Sequence, residues 1–98
     1  MYELLEQLTF AHAVAGDSEE KRKFIMEKLE ELKVPYKTDG YGSVIVGNDK
    51  NGNQLLIAAH IDEVGFQVVD INEDGTMAIL PIGWIFANRL DHTAVYVR

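Results

Sequence analysis

Pro35 separates two kinds of hydrophobic pattern, and a fold for this chain has to accommodate both. Before it, apolar residues recur at helical spacing. Leu4, Leu5, Leu8 and Ala11 form one stripe, with Glu3 in the first turn and Gly16 as the stop. Phe24, Ile25, Leu29 and Leu32 form a second, while Glu19, Lys23, Glu27, Glu30 and Glu31 take the wet face. Asp17 or Ser18 is expected to cap this second helix, and Glu20 stands three residues after Asp17 in capping-box position. Pro35 ends it, because the residue before a proline is pushed out of the helical region.

After Pro35 the pattern becomes extended. Residues 36–38 and 43–46 flank the turn Asp39-Gly40-Tyr41-Gly42, and Asn48-Asp49-Lys50-Asn51-Gly52 forms a second loop. A strand is expected over residues 54–60, then 64–71, the turn Asn72-Glu73-Asp74-Gly75, 76–81, and a last strand over 93–97. Leu55, Leu56, Ile57, Ala58 and Ala59 are continuously apolar, which predicts a central strand covered on both faces. The fold class expected is α+β or α/β. Two N-terminal helices precede mixed sheet strands, which lead into antiparallel, barrel-like strands beyond a composition shift near Glu63. The run 93–97 stops in mid-alternation, so the chain is expected to continue or to pair with another molecule.

Composition narrows the function classes. Ninety-eight residues, 47% hydrophobic and 26% charged, suit a globular domain with one modest core. Sixteen acids against nine bases give a net charge of −7, which argues against a nucleic-acid or anionic-membrane partner. There are no cysteines, so disulfides and thiolate metal sites are excluded. The N-terminus has acids where a signal peptide has lysines. The run MAILPIGWIFA, interrupted by Pro81 and Gly83, falls short of the roughly 18–20 residues that cross a bilayer. A soluble protein with a cytoplasmic default follows.

The chemistry concentrates in Ala58-Ala59-His60-Ile61-Asp62-Glu63-Val64-Gly65-Phe66. His60 closes the apolar run, and Asp62 leaves the same face of an extended backbone two residues on. An imidazole can ligate a metal through one nitrogen while a carboxylate fixes the tautomer through the other. A bare His-x-Asp also suits a plain hydrogen-bonded pair at a strand end, and one histidine does not complete a metal site. His12 fits a half-buried polar residue on the first helix. His92, after Asp91, fits a solvated loop, although the pair has the chemistry to bind metal.

The longer string, Ala59-His60-Ile61-Asp62-Glu63-Val64-Gly65-Phe66, closely resembles the first metal-ligand motif of the M42 family of metalloaminopeptidases, of glutamyl and deblocking types. Leu5, Ala11-His12-Ala13-Val14-Ala15-Gly16 and Asp39-Gly40-Tyr41-Gly42-Ser43-Val44-Ile45-Val46-Gly47 are similar to the family's opening helix and first hairpin. Pro81-Ile82-Gly83 looks like the start of its inserted β-barrel domain.

The resemblance implies that His60 is a metal ligand and that Asp62, in the catalytic apparatus, orients it. Glu63 matches the motif without a catalytic role. It implies two divalent ions, zinc or cobalt, in the complete enzyme, and a peptide substrate. It also implies that residues 1–63 begin the catalytic domain and 64–98 the inserted oligomerisation domain. The family's other ligands and its general base have no counterpart here. This polypeptide alone is therefore expected to be inactive, to bind metal weakly or not at all, and to need a homo-oligomer or a partner chain supplying the missing half.

The segment Trp84-Ile85-Phe86-Ala87-Asn88-Arg89-Leu90 departs from the family pattern, and its bulky residues are expected in a core or interface. From a different class, the alternative function is a non-catalytic oligomerisation or interaction fragment.

Overall fold

The computed structural model describes residues 1–47, 52, 55–86 and 89–98. They divide into two compact units, Met1–Asp62 and Glu63–Arg98. The first contains α1 (Tyr2–Phe10), α2 (Glu19–Glu31), β1 (Tyr36–Thr38) and β2 (Val44–Val46); the second contains β3 (Gly65–Ile71) and β4 (Met77–Ile82). Both sheets are two-stranded and antiparallel, so the protein is of mixed α+β class. Among the described residues β3 and β4 are antiparallel, as expected of that half, without a closed barrel; the mixed sheet expected before them is absent, which corrects that expectation.

In the first unit the buried apolar residues are small. Ala11 and Ala13 lie just past the end of α1, and the fully covered Ala13 marks where the chain turns toward α2. Lys21 on α2 is buried as well, as a lysine can be when its methylene stem lies along apolar surface. The turn closes with Asp17 N–H donating to the Val14 carbonyl at 2.8 Å.

The expected capping box does not form. Helix α2 begins with Ser18 as its N-cap, one residue later than a box built on Asp17 requires. The position that should carry a glutamate is then Lys21, which has no acceptor oxygen. Glu20 instead accepts the His12 backbone N–H at 3.3 Å, tying the inter-helix turn to the first turn of α2.

Helix α2 stops before the proline. Lys33 takes a left-handed conformation at φ 55°, donating to the Glu30 carbonyl at 2.9 Å, and Val34 donates to Leu29 at 2.8 Å. These two bonds are the Schellman pattern, with a lysine where glycine is usual. Along the wet face Glu19 pairs with Arg22 and, at 3.9 Å, with Lys23; Lys28 meets Glu31 at 2.8 Å. Such exposed helical pairs contribute only about 0.2–0.5 kcal/mol each.

β1 and β2 pair in the register Tyr36↔Val46, Lys37↔Ile45, Thr38↔Val44. The connecting turn is held by one carboxylate. Asp39 Oδ1 accepts the Tyr41 N–H at 3.0 Å and the Ser43 N–H at 2.8 Å. Hydrogen bonding from Ser43 holds the Asp39 carboxyl below the usual aspartate range. Gly42 sits at φ 86°, and a Cβ there would lie 3.0 Å from Arg22 Nη1, so backbone conformation and the guanidinium above it both favour glycine. Tyr36 joins the hairpin to α2 by donating its hydroxyl to Glu30 Oε1 at 2.8 Å, which raises the phenol's pKa.

β3 and β4 form the second hairpin around Asn72-Glu73-Asp74-Gly75, with Ile71 opposite Met77 and Gly65 opposite Ile82. Asp74 Oδ1 accepts both the Thr76 N–H, at 3.0 Å, and its hydroxyl, at 2.7 Å. These bonds lower its pKa. The register shifts between Val68, opposite Ile79, and Asp70, opposite Ala78, leaving Val69 as a bulge. Strand parity shows what the bulge does. Phe66, Val68 and Ile71 share a face with Pro81, Ile79 and Met77, while Gln67 and Asp70 share the other with Leu80 and Ala78. In an unbulged strand of the same residues, strict alternation would put Asp70 on the apolar face and Ile71 opposite it. At the far end Gly83, at φ 86°, leaves room for Val64, whose Cγ1 would stand 2.9 Å from an added Cβ.

Two further expectations are corrected, and a third in part. Residues 55–60 form no strand, and Leu55, Leu56 and Ile57 are 87%, 87% and 85% exposed rather than covered on both faces. Gln54, which opened that expected strand, lies outside the described residues, as do the loop residues 48–51. An apolar run becomes a strand only where another strand meets its backbone, and here none does among the described residues. Residues 93–97 are likewise not a strand, for the same reason. Of the two settings expected for Trp84, Ile85 and Phe86, core or interface, the core one is excluded for Trp84 and Phe86, which are exposed, while Ile85 is half-buried. Among the described residues, no helix is long and apolar enough to cross a membrane.

Candidate functional site

His60 lies at the C-terminal end of the apolar run, where the expectation was a rigid buried strand. The structure instead presents it on an exposed segment without regular structure, its side chain 84% exposed. Its orientation comes from two residues further along the chain. His60 Nδ1 lies 2.8 Å from the Asp62 backbone carbonyl and 3.0 Å from Asp62 Oδ1.

That pair of contacts has a definite chemical meaning. A carbonyl oxygen and a carboxylate oxygen can only accept, so Nδ1 must carry the hydrogen. In the neutral ring the lone pair then sits on Nε2, which is free to coordinate a cation or accept a proton. Asp62 thus holds the imidazole through both its side chain and its main chain. The side-chain contact follows from the two-residue spacing. The carbonyl contact has no signature in the sequence, because every residue carries that group.

The other two histidines have settings of their own. His12, expected on the first helix, lies beyond its end at Phe10; it is half-buried as expected, with Nε2 3.4 Å from Asp17 Oδ2. His92 has a left-handed backbone at φ 61° and is exposed beside Asp91. Among the described residues no group of three or more His, Cys, Asp or Glu stands close enough to hold a metal ion. Among the described residues the arrangement is one imidazole in contact with one aspartate.

An imidazole locked in the Nδ1–H tautomer by a carboxylate is the kind of arm that metallohydrolases use. Comparison with known proteins makes the class specific. The model of the M42 glutamyl aminopeptidase family matches residues 42–98, more than half of the chain and including His60 and Asp62. The chain belongs to that family.

Among its relatives, FrvX of Escherichia coli (strain K12), named as a candidate aminopeptidase, is 37% identical over 91 residues, covering 92% of this chain and 26% of FrvX. The glutamyl aminopeptidase of Lactococcus lactis subsp. cremoris (strain MG1363) is 31% identical over 86 residues, 85% of this chain and 24% of that protein. A lysyl aminopeptidase of Pyrococcus furiosus is 27% identical over 90 residues, 91% of this chain and 26% of the relative. The chain therefore spans about a quarter of the length of these curated relatives. No solved structure matches it significantly.

Proposed function

We propose that this chain contributes one arm of the divalent-metal centre of an aminopeptidase that removes N-terminal residues from peptides. His60 is the ligand, through Nε2, and Asp62 the residue that positions it. The observation that supports this most directly is the double contact of His60 Nδ1 with Asp62, at 2.8 and 3.0 Å, inside the family-matched region. The residues fit such a group as far as they go. The donor is a neutral imidazole nitrogen, suited to zinc or cobalt, with its second nitrogen already hydrogen-bonded.

Bound divalent ions, a pair in this proposal, would polarise the scissile carbonyl and lower the pKa of a water. The chain's own part is narrower. Asp62 keeps the proton on Nδ1 and restricts rotation of the ring, so that Nε2 faces outward without a reorganisation step. Residues 1–63 would form the start of the catalytic domain and residues 64–98 the start of an inserted one. By itself the chain would be inactive, because one imidazole leaves most of a coordination shell to water. Cytoplasmic placement and self-association belong to the same proposal. Self-association is supported by the exposed Leu55, Leu56, Ile57 and Trp84.

The test is a titration of the chain with cobalt or zinc, followed by NMR of its three histidine rings. The expected result is weak binding localised to the His60 ring. His60→Ala should abolish that perturbation, and Asp62→Asn should weaken it by about 10-fold. Perturbation centred on His12 or His92, with His60 silent, would overturn the ligand assignment. Stoichiometric metal surviving dialysis, together with turnover of aminoacyl substrates, would overturn the inference that the chain is a single arm.

A further inference from the structure

We draw no further inference here: the strongest candidate, the apolar face of the β3–β4 hairpin, on which Val68, Ile71, Met77, Ile79 and Pro81 are exposed beside a half-buried Phe66, carries nothing because nothing in the structure shows what covers it.

Discussion

Residues 55–59 and the β3–β4 hairpin invite comparison, because the less apolar of the two is the one that forms regular structure. Leu55 to Ala59 contains no polar residue, yet it pairs with nothing among the described residues and stands open to solvent. β3 includes Gln67 and Asp70, and β4 includes Pro81, yet the two form a registered ladder. The difference is distance along the chain. β3 meets β4 across a turn whose ends are joined by Asn72 N–H to the Thr76 carbonyl at 2.8 Å, so little loop entropy is lost in closing it. Residues 55–59 have no complementary strand adjacent in sequence. Hydrophobicity makes a segment willing to be buried; a nearby partner makes it a strand.

The largest test of this contrast is Gly83→Ala. Left-handed backbone costs an alanine about 1–2 kcal/mol, and the 2.9 Å approach to Val64 adds an overpacking penalty, so the hairpin end should lose about 2–3 kcal/mol. Urea unfolding followed by near-UV and amide signals of β3 and β4 measures it. An unchanged midpoint would mean that this end of the ladder is not closed as described.

Lys33→Gly probes local closure at a helix end and should act in the opposite direction. Removing the side chain from a φ of 55° while keeping both Schellman bonds should stabilise α2 by about 0.5–1 kcal/mol. Helical ellipticity through a thermal scan is the readout, and a fall in stability would show that the lysine side chain matters more than its backbone strain.

Acid provides a test that separates the hairpins from the unpaired run. Asp39 and Asp74 have folded-state pKa values below the ordinary 3.8, through hydrogen bonds from Ser43 and Thr76 respectively. A depressed carboxyl contributes stability that is fully present above its unfolded value. That contribution disappears as pH falls through the folded value. Both turns should therefore loosen below about pH 4, with the Tyr41, Ser43 and Thr76 amides losing protection first. Signals from residues 55–59 should show no coupled change. Equal response of all three regions would erase the distinction.

The smallest expected effect is that of Leu56→Ser. With the side chain already exposed, stability should change by no more than about 0.5 kcal/mol. The same substitution should reduce self-association, as light scattering at micromolar concentration would show. A loss above about 1 kcal/mol in dilute monomer would reveal a partner for the run within the chain. A monodisperse 11.0 kDa species for the unsubstituted protein would remove the self-association proposal.

Much of the local structure was legible because its causes are local. The two apolar stripes gave α1 and α2, and the Asp-Gly and Asn-x-Asp-Gly turns gave both hairpins with their pairing partners. What misled was inference about long-range cover. A run apolar on both faces implied flanking strands that residues 55–60 do not have, and residues 93–97 failed in the same way. The Val69 bulge was hidden because two adjacent valines look like ordinary strand sequence; only the pairing reveals which one is extra. His-x-Asp placed the ring near the carboxylate in advance. The exposure of the ring and the carbonyl contact beneath it depend on backbone path, which residue types alone do not encode.

The bulge also makes residue count, and not only composition, part of what this hairpin specifies. A conventional ladder alternates with perfect parity, so a one-residue deletion anywhere in a strand inverts everything beyond it. β3 already holds one inversion, at Val69, and uses it to return Ile71 to the company of Phe66 and Val68. Losing Val69 would remove the bulge and leave Asp70 and Ile71 on the sides they already occupy, in an unbroken ladder. For this strand, a one-residue gap at Val69 changes local twist and not phase, so chains with and without that residue can present the same two surfaces.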